Sequence, residues 1–481
     1  MISSDEINFL IRRYLQETGF PHTAYIFSNE ALVDRVSYPV SQLPPQALVT
    51  ILKKGMLYMQ LEKSINEKAK LDQSPENIVS SLIEAVRNEE PIVPPKTPPK
   101  PRTQPTPPTP PTPRQPLKQP VPIIVEPTII QDSSILTLRG HFSDVYCGSW
   151  NKDGTLFASG GNDATAIIWE IRDHTYKTHY ILDHATQQNR DGKDITTLSW
   201  NPSGTILATA CLDGVARLWT NHGELKFVLN LHHQAIFTME FSPDGTSLLT
   251  GSSDQSVIVW NVLNGDVKQF FQHHRSRVLD VDWRDNSIFA SCDGNATILI
   301  CKLGEARPLY LLYGHTSEVN KIEWDPSRNL LASCADDRTI RIWSPFNSNS
   351  QPIVLTGHTN NVYTIQWAPN NNGKILASGA FDNTVRLWNI ENKTCVAVFR
   401  GYTQPVYTVC FSPLGKYLVS GGVDGLINVI RTSDFALVAR YAAGSSIYEA
   451  KWDPTGENIA LCLENASIVV IAAKDIPYYQ E

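Results

Sequence analysis

Several things that would signal chemistry on a small molecule are missing from this chain of 481 residues. It has no phosphate-binding glycine loop, no His/Cys/Asp/Glu set at metal-ligand spacing and no isolated nucleophile–base pair. No cofactor, no metal and no catalytic residue is therefore expected. Cys-x-x-Cys is absent too. The eight cysteines (147, 211, 292, 301, 334, 395, 410 and 462) sit in apolar stretches, as expected of buried thiols in a reducing compartment. No run approaches the ~18 apolar residues of a membrane span. The N-terminus lacks the charged-then-apolar layout of a signal peptide, so a soluble, intracellular protein is expected. The net charge of −7 argues against a general or sequence-specific nucleic-acid binder. One stretch, residues 91–125, has no acidic residue, and 15 of the 32 prolines fall within 91–122. Such a segment has few backbone donors and little apolar mass, which favours an extended spacer over a packed element.

What is present is a repeat. Its fullest copy, residues 357–389, opens with Gly357-His358 and an apolar run ending in Trp367. It continues through a Pro/Asn/Gly turn and Leu376-Ala377-Ser378-Gly379 to Asp382, and closes on Val385-Arg386-Leu387-Trp388-Asn389. The closing anchors are Trp169, Trp219, Trp260, Cys301, Trp343, Trp388, Ile430 and Ile471. Ten residues before each stand Ser159, Thr209, Thr250, Ser291, Ser333, Ser378, Ser420 and Leu461. Six before stand Asp163, Asp213, Asp254, Asn295, Asp337, Asp382, Asp424 and Asn465. The upstream residue is His141, His184, His232, His274, His315 and His358 in turn, then Tyr402; the eighth copy has Gly444-Ser445 there. Period-two strands between tight turns, recurring every 41 to 50 residues, predict four-stranded blades. Eight copies predict an all-β eight-bladed propeller over 129–481, with residues 135–138 supplying the strand that completes the last blade.

The repeated polar residues look like a catalytic inventory, but every blade carries a set. The sets His141, Ser159, Asp163, Trp169; His315, Ser333, Asp337, Trp343; and His358, Ser378, Asp382, Trp388 are expected to form structural networks. Such networks satisfy polar groups that blade packing would otherwise strand. Blades four and eight depart most, and the network of blade eight is expected to be missing. Binding residues are expected around one mouth of the channel. Four residues after the His a valine points inward (Val145, Val319, Val362, Val406), and its neighbours alternate outward. In propellers that resemble the G-protein beta subunit these positions line the partner-binding rim, which implies that Asp144, Tyr146, Asp194, Phe237, Glu318, Asn320, Tyr363, Tyr407 and Tyr448 lie there. The residue before the turn Asp adds Asn162, Asp336 and Phe381. An aromatic, acidic rim selects basic partners.

Residues 1–90 read as helices. Ser3 and Glu6 form a capping box ahead of an apolar stripe of Ile7, Leu10, Ile11, Tyr14 and Leu15. Gly19 suits the helix end, and a second helix carries Ala24, Phe27 and Ala31. Two helices this short cannot bury their stripes alone. Oligomerisation through these residues, with Phe20, is expected. Residues 7–20 with Thr23, Ala24 and Phe27 resemble a LisH dimerisation motif. The stretch from Leu43-Pro44-Pro45 through Lys53-Lys54-Gly55-Met56-Leu57-Tyr58 to Glu67 resembles an F-box-like segment.

LisH and F-box-like helices over 1–90, a Pro-rich linker over 91–128 and eight blades over 129–481, in this order, resemble the transducin beta-like family across the whole chain. The resemblance implies a non-enzymatic nuclear scaffold of a histone-deacetylase corepressor complex. It implies a homo-oligomer, a tetramer in that family, whose partners are a corepressor protein, a class I histone deacetylase and histone tails. The F-box-like segment leaves a second reading open, a substrate adaptor of a ubiquitin ligase with ubiquitin-pathway partners. A lissencephaly-type LisH–propeller regulator fits less well, since such proteins carry a coiled coil and seven blades.

Overall fold

The computed structural model describes residues 127–173, 175–184, 192–347, 350–369 and 374–476. The expectations for the helical head (Ile7, Leu10, Ile11, Tyr14, Leu15, Phe20 and Phe27) and for the linker up to residue 126 lie outside the described residues. So does most of the insertion at 187–193 and the turn at 370–373.

Eight antiparallel sheets follow one another along the chain, one per repeat. The sixth is typical. Val362–Trp367, Ile375–Ala380, Val385–Asn389 and Thr394–Phe399 run from the channel outward. Its second and third strands are buried on both faces except Arg386 and the end residues Ile375 and Asn389, because each blade is sandwiched between neighbours. That explains the near-continuous apolar runs and the small residues there. Glycine is favoured at Gly357, where the backbone takes a positive φ. A Cβ on Gly357 (φ 152°) would lie 2.6 Å from the Arg386 guanidinium, which packs over the Trp388 ring. The Gly-His pair and the Arg-x-Trp end of one repeat are thus one packing unit.

The ring closes as expected. Ile135–Arg139 pairs antiparallel with Ser467–Ala472 and becomes the outer strand of the eighth blade, with Leu138 fully buried. The seventh blade gains a fifth strand that the sequence did not announce. Thr128–Ile129 adds in parallel to Ala436–Ala442, and Ile130 is buried behind it.

Every blade shares one irregularity. The innermost strand loses register with its neighbour after its first residue, at Val145, Ile195, Ile236, Val278, Val319, Val362, Val406 and Ile447. Each shift is a β-bulge, which leaves one residue unpaired and re-aims its side chain.

Candidate binding mouth of the propeller

The eight residues left out by the bulges are Tyr146, Thr196, Phe237, Leu279, Asn320, Tyr363, Tyr407 and Tyr448. With Phe381 they line one cavity of about 530 Å³ at the mouth of the channel. The bulge is the reason a position next to a buried valine faces the opening.

The mouth has two unlike halves. On one side five aromatic rings follow one another, in tilted, stacked and edge-on contacts, around the sixth, seventh, eighth and first blades. Phe381 lies 5.6 Å from Tyr363, Tyr363 5.3 Å from Tyr407, Tyr407 6.4 Å from Tyr448, and Tyr448 5.2 Å from Tyr146. Such chains present large apolar area with little side-chain entropy to lose. The other side holds Thr196, Leu279 and Asn320 with a single ring, Phe237, and charges beside it are paired. Arg277 donates to both Glu318 oxygens at 2.8 and 2.9 Å. Asn320 donates to Asp336 at 2.7 Å and to the Val362 carbonyl at 2.9 Å.

The carboxylates expected at the rim flank the cavity rather than line it. Asp144 accepts from the Tyr448 hydroxyl at 3.2 Å. Burial, then the Asp144 and Glu464 charges, push the Tyr448 hydroxyl pKa up. Burial, then Asp144 and Asp194, do the same to Tyr146. Burial also raises Asp194 above the usual carboxylate range. Asp144, Asp194 and Glu464 thus concentrate negative potential on the aromatic half. Asn162 sits outside the cavity, exposed, donating to Ser143 at 3.3 Å.

Below the mouth lies a set of polar residues that pattern reading missed. In the third to sixth blades the residue before the last of the innermost strand reaches across to the next blade. Glu240 accepts from the Trp283 backbone N–H at 2.8 Å, Asp282 from Trp324 at 2.5 Å, Glu323 from Trp367 at 3.1 Å and Gln366 from Phe411 at 2.5 Å. Two residues earlier, Asp280 serves Ile322, Thr408 serves Ala450 and Glu449 serves Gly148. These carboxylates tie blades together. Burial pushes Asp282 up to about 7 and Glu323 up to about 8. The sequence signal was there, a polar residue three before or just before each innermost Trp or Phe, but it reads equally as the solvent face of a strand. Among the described residues no group of three or more potential metal ligands comes together.

The repeated networks are built as follows. In the sixth blade Asp382 faces His358 Nδ1 at 2.9 Å, Ser378 Oγ lies 2.7 Å from His358 Nε2, and Trp388 Nε1 donates to Ser378 at 2.8 Å. Asp382 accepts at Nδ1, so a neutral imidazole carries its proton there and leaves Nε2 to accept from Ser378, which in turn accepts from the indole. Burial accordingly holds the His358 and His315 pKa values below the usual imidazole range. The first blade (His141, Asp163, Ser159, Trp169) and the fifth (His315, Asp337, Ser333, Trp343) repeat this geometry.

Two expectations need correction. In the fourth blade Asn295 is not the partner of His274; Asp293 is, at 3.0 Å. Asp293 is the last residue of the strand Ile288–Asp293, and from that strand end it reaches the imidazole that the turn acid reaches in other blades. In the second blade His184 is 2.9 Å from the Leu182 carbonyl instead of meeting Asp213, which lies 3.8 Å from Lys193. The Arg217 and Lys193 charges add to burial there, and the His184 pKa falls to about 3.

Eight WD-type blades around a bulge-lined mouth define a WD40 β-propeller of the scaffold and adaptor kind. The model of the WD domain, G-beta repeat, matches residues 132–170, 184–220, 223–261 and 306–344, and that of LisH matches 5–31. The model of eukaryotic translation initiation factor eIF2A also matches 341–467, within the blades. The mouse F-box-like/WD repeat-containing protein TBL1X is 35% identical, over 98% of this chain and 99% of its own. The Saccharomyces cerevisiae SIR4-interacting protein SIF2 is 24% identical over 98% of this chain and 100% of its own. The crystal structure of the C-terminal WD40 domain of Sif2 superposes with a TM-score of 0.62 at 26% identity, covering 70% of this chain and 98% of that one. The chain belongs to the transducin beta-like family of F-box-like/WD repeat-containing proteins.

Proposed function

We propose that this protein is a non-enzymatic nuclear scaffold of a histone-deacetylase corepressor complex. It self-associates through its LisH helices, as a tetramer, and holds basic peptides such as histone tails or basic stretches of a corepressor at the propeller mouth. The observation that carries this reading is the aromatic half of the mouth: five contiguous rings bordered by Asp144, Asp194 and Glu464. Aromatic anchors supply affinity, and the carboxylates select and steer cationic partners. The LisH match supports self-association, which multiplies weak contacts at each mouth through effective concentration.

Affinity purification of the full chain from nuclear extract, read by mass spectrometry, tests this. A corepressor protein with a class I deacetylase is the expected company. A second reading, a ubiquitin-ligase substrate adaptor, takes its support from the F-box-like name of the relatives. Recovery of ligase or ubiquitin-conjugating components without deacetylase would favour it instead.

A further inference from the structure

The outer edge of a blade exposes unpaired backbone groups, and an edge without charge invites another strand. Most edges in this propeller are guarded. The outer strands of the second, third and eighth blades contain Lys226, Lys268 and Arg139, and the first ends at Asp183. The seventh is covered by Thr128–Ile129. The outer strand of the sixth is bracketed by Lys393 and Arg400 and exposes no large apolar residue; that of the fifth exposes only Val354, just after Pro352.

The fourth blade is the exception. Arg307-Pro308 precede its edge, but the edge itself, Leu309-Tyr310-Leu311-Leu312-Tyr313, has no charge and four exposed apolar or aromatic side chains, Leu311 at 41% and Tyr313 at 72% among them. Residues 310–312 pair inward with 298–300, and among the described residues no strand lies on their other side. Tyr310 also packs edge-on against Phe346, itself exposed, which widens the apolar patch.

We propose that this edge is a self-association surface, where two copies of the chain pair antiparallel through residues 309–313. The seventh blade shows that a blade edge of this propeller accepts a further apolar strand: Thr128–Ile129 lies there in register, and the Ile130 N–H donates to Arg440 at 2.9 Å. A second copy fits the fourth blade because of symmetry. Across a two-fold axis a charged edge meets its own charge, and this edge has none. Centred on Leu311, antiparallel pairing sets Tyr310 against Leu312 and Leu309 against Tyr313, so each cross-strand pair beside the axis is aromatic against aliphatic. Five residues bury too little area for a stable dimer by themselves. The contact is therefore weak, and anything that tethers copies together strengthens it. It does not depend on the mouth or on the helical head.

Cysteine crosslinking of the full chain tests it. All eight native cysteines are buried or half-buried, so an introduced thiol at the edge reacts selectively. In the antiparallel pair Leu311 faces its own copy. L311C treated with a short bismaleimide should give a band of twice the chain mass. V228C, an exposed position on the second blade's edge, should stay at one chain mass under the same conditions. Adding Leu10→Asp and Leu15→Asp to L311C, to separate the heads, should slow the crosslink, with recovery at higher protein concentration. Equal yields from L311C and V228C, or no L311C dimer at any concentration, would overturn the proposal. A failed head reading is seen separately, as an unmodified chain whose sedimentation does not change when those two substitutions are made.

Discussion

The sixth and eighth blades solve one problem in two ways. Where the sixth has Ser378, Asp382 and Trp388 in a hydrogen-bonded line to His358, the eighth has Leu461, Asn465 and Ile471. Ser378 and Leu461 are equally buried, and Ile471 is as buried as Trp388. The buried hydroxyl and indole are replaced together, by Leu461 and Ile471, while Asn465 stays polar in the turn and accepts from Ser467. Removing one partner strands the others in a low-dielectric interior, whereas replacing all of them by apolar groups of fitting shape is close to neutral. The seventh blade stands between: Tyr402 reaches Ser420 with its hydroxyl at 2.5 Å, where other blades use His, and Ile430 replaces the indole.

This comparison can be broken from either side. Ser378→Ala leaves the Trp388 N–H and His358 Nε2 without their partner and should cost about 2–4 kcal/mol in urea unfolding. The reverse change, Leu461→Ser, buries a hydroxyl among apolar neighbours and should cost about 1–3 kcal/mol. If Ser378→Ala proved neutral, the network would be decoration on a core that apolar packing already holds.

The channel carboxylates sharpen the same lesson within one register position. Glu240, Asp282 and Glu323 accept a backbone N–H from the next blade, and Gln366 does so without a charge. Burial raises the carboxyls, so the folded state binds protons that the unfolded chain has released. Their contribution is complete below the ordinary carboxylate pKa and is lost as pH rises toward about 8 for Glu323. Glu323→Gln keeps the acceptor and removes that slope. It should raise the melting temperature at pH 8 by a few degrees, about 1 kcal/mol, with the gap closing by about pH 5. The acid side has the opposite origin. His184 must charge to unfold, and its contribution fades as pH falls from 6.5 toward about 3. Asp163, held by His141 and Thr165 at about 2 against its burial, loses its contribution below 3.8.

Much of this was legible in the sequence. The number of blades and the strand of ring closure follow from position-by-position spacing, because each repeat must bury the same face against its neighbour. The ring of mouth residues follows from the resemblance to other propellers, carried along that spacing. The blind spots are equally physical. Asp293 escaped because a fixed offset assumes the acid sits in the turn, while here it serves from the strand end two residues earlier. His184 escaped because Lys193, at the end of an insertion, lies beside Asp213. The two halves of the mouth could not be told apart, since pairings such as Arg277 with Glu318 join residues 41 positions apart on different blades.

The direct test of a peptide-binding mouth is a titration of a fluorescently labelled Lys/Arg-rich peptide against the wild-type chain and the Tyr363→Ala/Tyr407→Ala double variant, with melting curves of both. Saturable binding that weakens with salt is expected, falling about tenfold or more in the double variant at a nearly unchanged melting temperature. Equal affinity in the two proteins, or a double variant that no longer folds, would contradict it.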